Sequence, residues 1–488
     1  MPSGRSAADL AFLLPEILLT AGALAMLVAD VLAPARRVLL TSIALAVLTA
    51  TLAAVLAYRH AGVHVAGGLI AVDGFSTFFK LVFLGAAIMT VLMSHRYLAI
   101  ESIGNGEYQF LVLCATLGMM IMAGAIDLIS AFIGLETMAV SFYILAGYIR
   151  PNPRSNEAAL KYFLLGAFSL AILLYGMSLL YGLTGSTHLD SIAAALGSLR
   201  DTRLLLAIVL LVAGLGFKIA AAPFHMWAPD VYEGAPTPVT AFLSVGSKAA
   251  SFALLLRIFF VGLPLQLADW SVLLATMAVV TMTAGNIAAL TQSNIKRMLA
   301  YSSIAHAGYV LIGVVAGTER GVSAALFYMA VYAFMQLGAF AVVVLLRRTD
   351  AIGDELKDFS GLWRRQPFAA FAMLLFMLSL GGIPPTAGFM GKFRLFGAAI
   401  DSGLVWLAVA GVLNSVLSLY YYLRVVIFMY QRTETTGSEP VLSPMLATTL
   451  AIAAIGTLAL GVYPAPLIDA ADASARALGS YPPAVVSR

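Results

Sequence analysis

Gly214-Leu215-Gly216-Phe217-Lys218-Ile219-Ala220-Ala221-Ala222-Pro223-Phe224-His225 and Gly381-Gly382-Ile383-Pro384-Pro385-Thr386-Ala387-Gly388-Phe389-Met390-Gly391-Lys392 share one content: apolar residues, glycines, a proline break and a lysine. A proline inside a helix removes a backbone hydrogen bond and collides with the preceding turn. Freed carbonyls survive at membrane depth only where protein or water satisfies them. A charged side chain at mid-membrane costs roughly 2.5–3.5 kcal/mol on insertion scales and marks an ion pathway by default. Pro223, Pro384 and Pro385 therefore predict two broken membrane helices, with wet cavities beside Lys218 and Lys392.

The surrounding chain supports a membrane setting. Of its 488 residues 61% are hydrophobic and 11% charged, and the mean hydropathy is +0.96; soluble domains carry about 25% charged residues. The class is an all-α polytopic membrane protein. About 20 apolar residues span a bilayer, and fourteen such segments are expected, near 9–32, 38–58, 73–95, 107–125, 127–149, 158–184, 204–230, 237–262, 268–291, 297–316, 321–347, 367–400, 404–430 and 444–466. Arg5 ahead of the first apolar run imitates a secretory signal, but the run is long enough to span and Glu16 interrupts it, so an uncleaved first helix is expected. Loops after odd-numbered segments hold thirteen Lys and Arg against seven on the other side, which predicts that those loops are cytoplasmic and both termini periplasmic. The loop from Arg347 to Pro367, with Asp350, Asp354, Glu355 and Asp358 among its basic residues, is either a solvated linker or a docking surface for a neighbour.

A net charge of +4 spread over loops does not argue for nucleic acid. The single cysteine, Cys114, leaves no internal disulfide and no cysteine-based metal centre. With no phosphate-binding loop, no histidine pair of metal spacing and no Ser-His-Asp pattern, no cofactor and no redox centre are expected in this chain.

Segments four to eight and nine to thirteen read as two copies of one unit. Glu136 and His306 are 170 residues apart (306 − 136), Lys218 and Lys392 are 174 apart (392 − 218), and Arg257 and Arg424 are 167 apart (424 − 257). Five helices per copy is an odd number, so the second copy is expected upside down, with paired discontinuous helices at the ion site. This divides the chain into residues 1–106 (helices one to three), 107–262 (first repeat), 263–430 (inverted repeat) and 431–488 (helix fourteen and tail).

Burial and a movable carboxylate act on the proton affinity of a lysine in opposite senses, so a lysine with an acidic partner is a switchable proton carrier. Glu136, Lys218, Lys248 and Lys392 are the expected relay, with Lys161, His225 and His306 as further candidates because imidazole exchanges protons near neutral pH. Each has a static alternative. Glu136 and Lys218 could form a structural ion pair; Lys248 and Lys392 could neutralise unwound carbonyls; Lys161 could snorkel to the interface; His225 and His306 could be structural. Arg257 and Arg424 are expected as helix-end anchors, and the roles of Glu16 and Lys80 stay open.

At two stretches the sequence becomes recognisable. Ser155-Asn156-Glu157-Ala158-Ala159-Leu160-Lys161-Tyr162-Phe163-Leu164-Leu165-Gly166-Ala167-Phe168-Ser169, and Pro223-Phe224-His225-Met226-Trp227-Ala228-Pro229-Asp230-Val231-Tyr232-Glu233-Gly234-Ala235-Pro236-Thr237, resemble subunit N of the proton-pumping NADH:quinone oxidoreductase, respiratory complex I. The resemblance covers essentially the whole chain. It implies an antiporter-like membrane-arm subunit whose matching positions are Glu136, Lys218, Lys248 and Lys392, in a bacterial inner membrane beside sister antiporter-like subunits. NADH, FMN, iron–sulfur clusters and quinone are then expected in other subunits. One sister subunit differs in having a carboxylate where this chain has Lys392, and another carries a long lateral helix that is not expected here. The alternative is a subunit of a multi-part cation/proton antiporter.

Overall fold

The computed structural model describes residues 10–59, 61–347, 353–431 and 440–479. The expectations resting on Arg5, Arg348, Asp350, Arg432 and Arg488 lie outside the described residues. In chain order the helices are α1 (Leu14–Leu32), α2 (Arg37–Ala57), α3 (Gly74–Ile100), α4 (Gly106–Gly124), α5 (Leu128–Ala146), α6 (Pro153–Thr184), α7 (Leu189–Leu196), α8 (Thr202–Lys218) and α9 (Trp227–Gly234). They continue as α10 (Thr237–Gly262), α11 (Leu267–Leu290), α12 (Ile295–Val315), α13 (Glu319–Leu346), α14 (Pro367–Gly381), α15 (Ala387–Asp401), α16 (Val405–Tyr430), α17 (Pro444–Val462) and α18 (Ala465–Ala477). Twelve are long and apolar enough to cross a membrane. Among the described residues, the pairs α8–α9 and α14–α15 lie over the expected segments 204–230 and 367–400 as interrupted helices.

Helix starts follow local chemistry. Asp127 accepts from the backbone N–H groups of Ile129 and Ser130, Asp73 and Ser76 form a reciprocal capping box, and Asn294 accepts from the N–H of Arg297. Pro153, Pro367 and Pro444 sit in first turns, where a missing N–H is harmless. Three elements depart from the expected plan. Val63–Val65 and Ile70–Val72 pair as a small antiparallel hairpin. The fourteenth crossing stops at Val462, and after Tyr463-Pro464 the chain resumes as α18, which packs on α3 and α13. The short α7 joins α6 to α8.

The centre of the bundle is α10, α12 and α13. All of the most apolar 18-residue window of α10 is buried, and 94% of those of α12 and α13, against 33–39% for α1, α2, α6, α16 and α17. Those three central helices carry Lys248, His306, Tyr309, Tyr328 and Tyr332.

Candidate functional site

Glu136 lies on α5 one turn from the exposed Ile133 and Val140, at the border between the packed interior and the outer face of the bundle. Its Oε1 is buried without a hydrogen-bond partner. Lys218, 2% exposed, is the last residue of α8. It makes no ion pair with Glu136; its Nζ donates to the Tyr143 hydroxyl at 3.4 Å. Tyr143 is carried on α5, the helix that also carries Glu136.

Lys248 follows a π-helical turn, Leu243–Ser247, inside α10; such bulges are frequent at functional sites. Its Nζ donates to the carbonyl and the hydroxyl of Ser303, each at 2.6 Å, and lies 5.9 Å from the centre of the Tyr232 ring. Lys248, Ser303, His306, Tyr328 and Tyr332 line one cavity of about 10 Å³, room for about one water molecule. His306 uses both ring nitrogens: Nδ1 is 2.5 Å from the Tyr328 hydroxyl and Nε2 is 2.9 Å from that of Tyr422.

Lys392 lies in α15, beyond its break, and reaches back. Its Nζ donates to the carbonyls of Leu380 and Gly381, each at 3.0 Å, and to the Ser415 hydroxyl at 2.8 Å. A cation is favourable there because these carbonyls end α14. The same Nζ lies 4.8 Å from the centre of the Tyr309 ring. Asn286 donates to the Tyr309 hydroxyl at 3.3 Å and accepts from the Tyr421 hydroxyl at 2.9 Å, and the Tyr421 and Tyr422 ring centroids are 4.4 Å apart. A buried polar line thus runs from His306 through Tyr422, Tyr421, Asn286 and Tyr309 to Lys392, by hydrogen bonds from His306 to Tyr422 and from Tyr421 through Asn286 to Tyr309, and by ring contacts from Tyr422 to Tyr421 and from Tyr309 to Lys392.

A family described as NADH:quinone oxidoreductase/Mrp antiporter, TM, matches residues 125–418. NADH-quinone oxidoreductase subunit N of Trichlorobacter lovleyi is 47% identical over 474 residues, covering 95% of this chain and 96% of that protein. The chain belongs to the subunit N family of NADH-quinone oxidoreductase. A chain of respiratory complex I from Thermus thermophilus superposes with a TM-score of 0.81 at 36% identity, covering 93% of this chain and 98% of that one. A chain of the Mrp complex from Dietzia sp. shares the fold, with a TM-score of 0.83 at 23% identity over 96% of this chain and 97% of its own.

In this subunit N family member protein groups reach freed backbone groups at both breaks, beside which the sequence predicts wet cavities. Trp227 Nε1 donates to the Phe217 carbonyl at 2.9 Å, and the Ala222 N–H finds the Thr281 hydroxyl at 2.9 Å. At the second break Lys392 itself takes the carbonyls of Leu380 and Gly381, and a cavity opens beside Lys248 and His306. The two lysines also fall on opposite sides of their breaks, Lys218 before and Lys392 after. Pro223, Pro384 and Pro385 are exposed on the outside of the bundle.

The structure separates the remaining candidates from this line. Lys161, with its side chain 40% exposed, pairs with Glu157 at 2.7 Å and Asp230 at 2.6 Å. Asp230 also receives Arg297 at 2.7 Å, in a cluster of surface charges. His225 is half-buried in the first break, its Nδ1 buried without a partner. Arg257 is an internal tie: it is bidentate to Asp73, at 2.8 Å to each oxygen, and donates to the Ala123 carbonyl at 3.2 Å. Glu16 and Lys80 form a buried ion pair at 2.6 Å that joins α1 to α3. Sequence reasoning missed Tyr143, Asn286, Tyr309, Tyr421 and Tyr422. The available signals were Asn286, a lone amide in a long apolar run, and the Tyr420-Tyr421-Tyr422 triplet inside a crossing.

Proposed function

We propose that this chain is a proton-translocating membrane-arm subunit of NADH-quinone oxidoreductase, working in a bacterial inner membrane with sister antiporter-like subunits. NADH is oxidised and quinone reduced elsewhere in the complex, where FMN and iron–sulfur clusters also reside. Protons move through Glu136, Lys218, Lys248, His306 and Lys392. The observation that carries this reading is the buried polar line linking the Lys248–His306 cavity to Lys392. Charge movement in the complex shifts Glu136 relative to Lys218, with Tyr143 between them. The proton then passes by way of Lys248 and water to His306 and along the tyrosines to Lys392. Both termini face the periplasm in this reading.

The two five-helix copies, residues 107–262 and 263–430, are part of the proposal, flanked by 1–106 and 431–488. One pair of contacts supports them. Arg257 donates to the carbonyl of Ala123, near the end of the first helix of its copy. Arg424 donates to the carbonyl of Leu290, at the end of the first helix of its own copy, at 2.9 Å. Donor and acceptor are displaced by the same interval, 424 − 257 = 167 and 290 − 123 = 167.

Replacing Lys218 or Lys392 by alanine in the assembled complex is expected to impair coupled turnover and proton movement; normal pumping in both variants overturns the relay. The rival, a subunit of a stand-alone cation/proton antiporter, has the likeness to the Mrp complex in its favour, which concerns the fold alone. Quinone-site inhibitors abolish proton movement in our reading and leave it intact in the rival.

A further inference from the structure

Along α13, Tyr328, Tyr332 and Gln336 follow one another at four-residue intervals and so share one face of the helix. The first two line the small cavity that also holds Lys248, Ser303 and His306. Gln336 is 0% exposed, and neither its Oε1 nor its Nε2 has a hydrogen-bond partner among the described residues. From Ala333 to Leu346 it is the only residue with a polar side chain.

Such a group is costly to keep. A buried amide that bonds to nothing gives up its hydration without compensation, and a methionine of the same length escapes that penalty, so packing alone favours an apolar residue at 336. Buried polar groups left over by the protein are met by ordered water. Side chains on a helix tilt toward its N-terminus, so Gln336 leans back toward Tyr332, whose Cα lies about 6 Å behind its own along the axis. Its amide is thereby directed to the Tyr332 end of the cavity. α13 packs here against the Thr237–Ser247 part of α10, which ends in the π-helical turn before Lys248.

The proton step gives such a water its use. Lys248 Nζ is bonded to Ser303, and the two ring nitrogens of His306 are taken by Tyr328 and Tyr422, so a proton from the lysine reaches the imidazole through the Tyr328 hydroxyl. We propose that Gln336 is a positioning residue for this transfer: its amide holds a water at the Tyr332 end of the cavity, and that water joins Lys248 to the tyrosine hydroxyls. The water takes a proton from Lys248 and gives one of its own to the Tyr328 oxygen, whose original proton passes to His306 Nδ1. One proton moves, and water and tyrosine are left as they began. The inference rests on the reading of Lys248, His306 and Lys392 as a relay.

The test uses the purified, assembled oxidoreductase in proteoliposomes. Gln336→Met keeps the length and removes the amide; it is expected to slow proton movement about tenfold, the weight of one hydrogen bond, while the unfolding temperature stays the same or rises. Gln336→Glu, which donates and accepts as the amide does when it is protonated, is expected to recover most of the rate. Wild-type pumping in Gln336→Met overturns the proposal, and so does a loss of pumping that comes with a lower unfolding temperature, the mark of a packing role. If neither variant assembles, the wild-type complex decides: a high-resolution cryo-EM map is expected to show a water within about 3 Å of the Gln336 amide, and a map that resolves buried waters elsewhere in the chain but none there overturns the proposal. Lys248→Ala in the same assay separates two failures. Normal pumping in that variant sinks the relay itself, whereas impaired pumping there beside wild-type pumping in Gln336→Met sinks only the role of Gln336.

Discussion

The Nζ of Lys218 donates to the hydroxyl of Tyr143 at 3.4 Å, and Tyr143 is carried on α5 together with Glu136. The Lys218 ammonium is therefore held by a phenol and not by a direct ion pair with Glu136. A direct buried pair is held by full Coulomb attraction, and breaking it leaves an uncompensated charge. A lysine held by a single rotatable hydroxyl is freer to rearrange, as the proposed switch requires.

Tyr143→Phe keeps the ring, and with it the 5.7 Å cation–π contact to Lys218, but removes the hydroxyl. A hydrogen bond to a charged group contributes about 1.5–3 kcal/mol, so coupled NADH:quinone turnover is expected to fall about tenfold while the complex still assembles. Turnover and proton uptake in membranes check this. Wild-type rates in the variant would show that the hydroxyl takes no part.

Tyr309 separates two roles. Tyr309→Phe preserves the ring beneath Lys392 and loses the bond from Asn286; Tyr309→Leu loses both. If the hydroxyl conducts, both variants slow proton transfer alike. If the ring only steadies the cation, phenylalanine is near wild type and leucine is impaired. The polar line predicts the first pattern, read as proton movement per NADH oxidised.

Arg257→Met leaves the Asp73 carboxylate without its bidentate partner in a site where Arg257 is 2% exposed. Loss of one member of a buried pair costs about 3–5 kcal/mol, whereas neutralising both is far milder. Thermal unfolding of the solubilised complex is expected to show a large loss in Arg257→Met and a partial return in the double variant with Asp73→Asn. A double variant worse than the single one contradicts this account.

Two glycines give opposite expectations. A Cβ on Gly388 would collide with the Ser379 carbonyl oxygen, across the second break, so Gly388→Ala is expected to disrupt α14–α15 and abolish assembly. Gly182, inside α6, has nothing within 4 Å of a built Cβ, and Gly182→Ala is expected to be neutral or to stabilise by up to about 1 kcal/mol through helix propensity. Native gels and thermal melts distinguish the two.

Much of the fold was legible because lipid imposes a simple rule. Every crossing must satisfy its own backbone, so each reads as an apolar run, and each interruption must be tended by something else, so Pro223 and Pro384-Pro385 stand out. The identity of the tending group was not legible. Trp227 Nε1 and the Thr281 hydroxyl serve the first break and Lys392 serves the second, where the sequence alone suggested water. Trp227 folds back across the break onto Phe217, ten residues away, whereas Thr281 reaches Ala222 only through packing of α8 against α11, which no local pattern encodes.

The site divides in the same way. The cost of charge in an apolar segment singled out Glu136, Lys218, Lys248 and Lys392 from the sequence. The residues between them are polar groups of ordinary kinds, and Tyr or Asn in a membrane helix carries no penalty large enough to mark it. Asn286 and Tyr421, 135 residues apart, become neighbours only when α11 packs on α16. Asp73 and Arg257, 184 residues apart, do so only when the start of α3 meets the end of α10.

By itself, then, the sequence determined the class, the crossings, the two breaks and the ionisable residues, because each follows from a local balance between a side chain or backbone group and lipid. The tertiary structure alone decided which groups bridge those residues and where the cavity beside Lys248 opens, because these depend on distances between helices that are far apart along the chain.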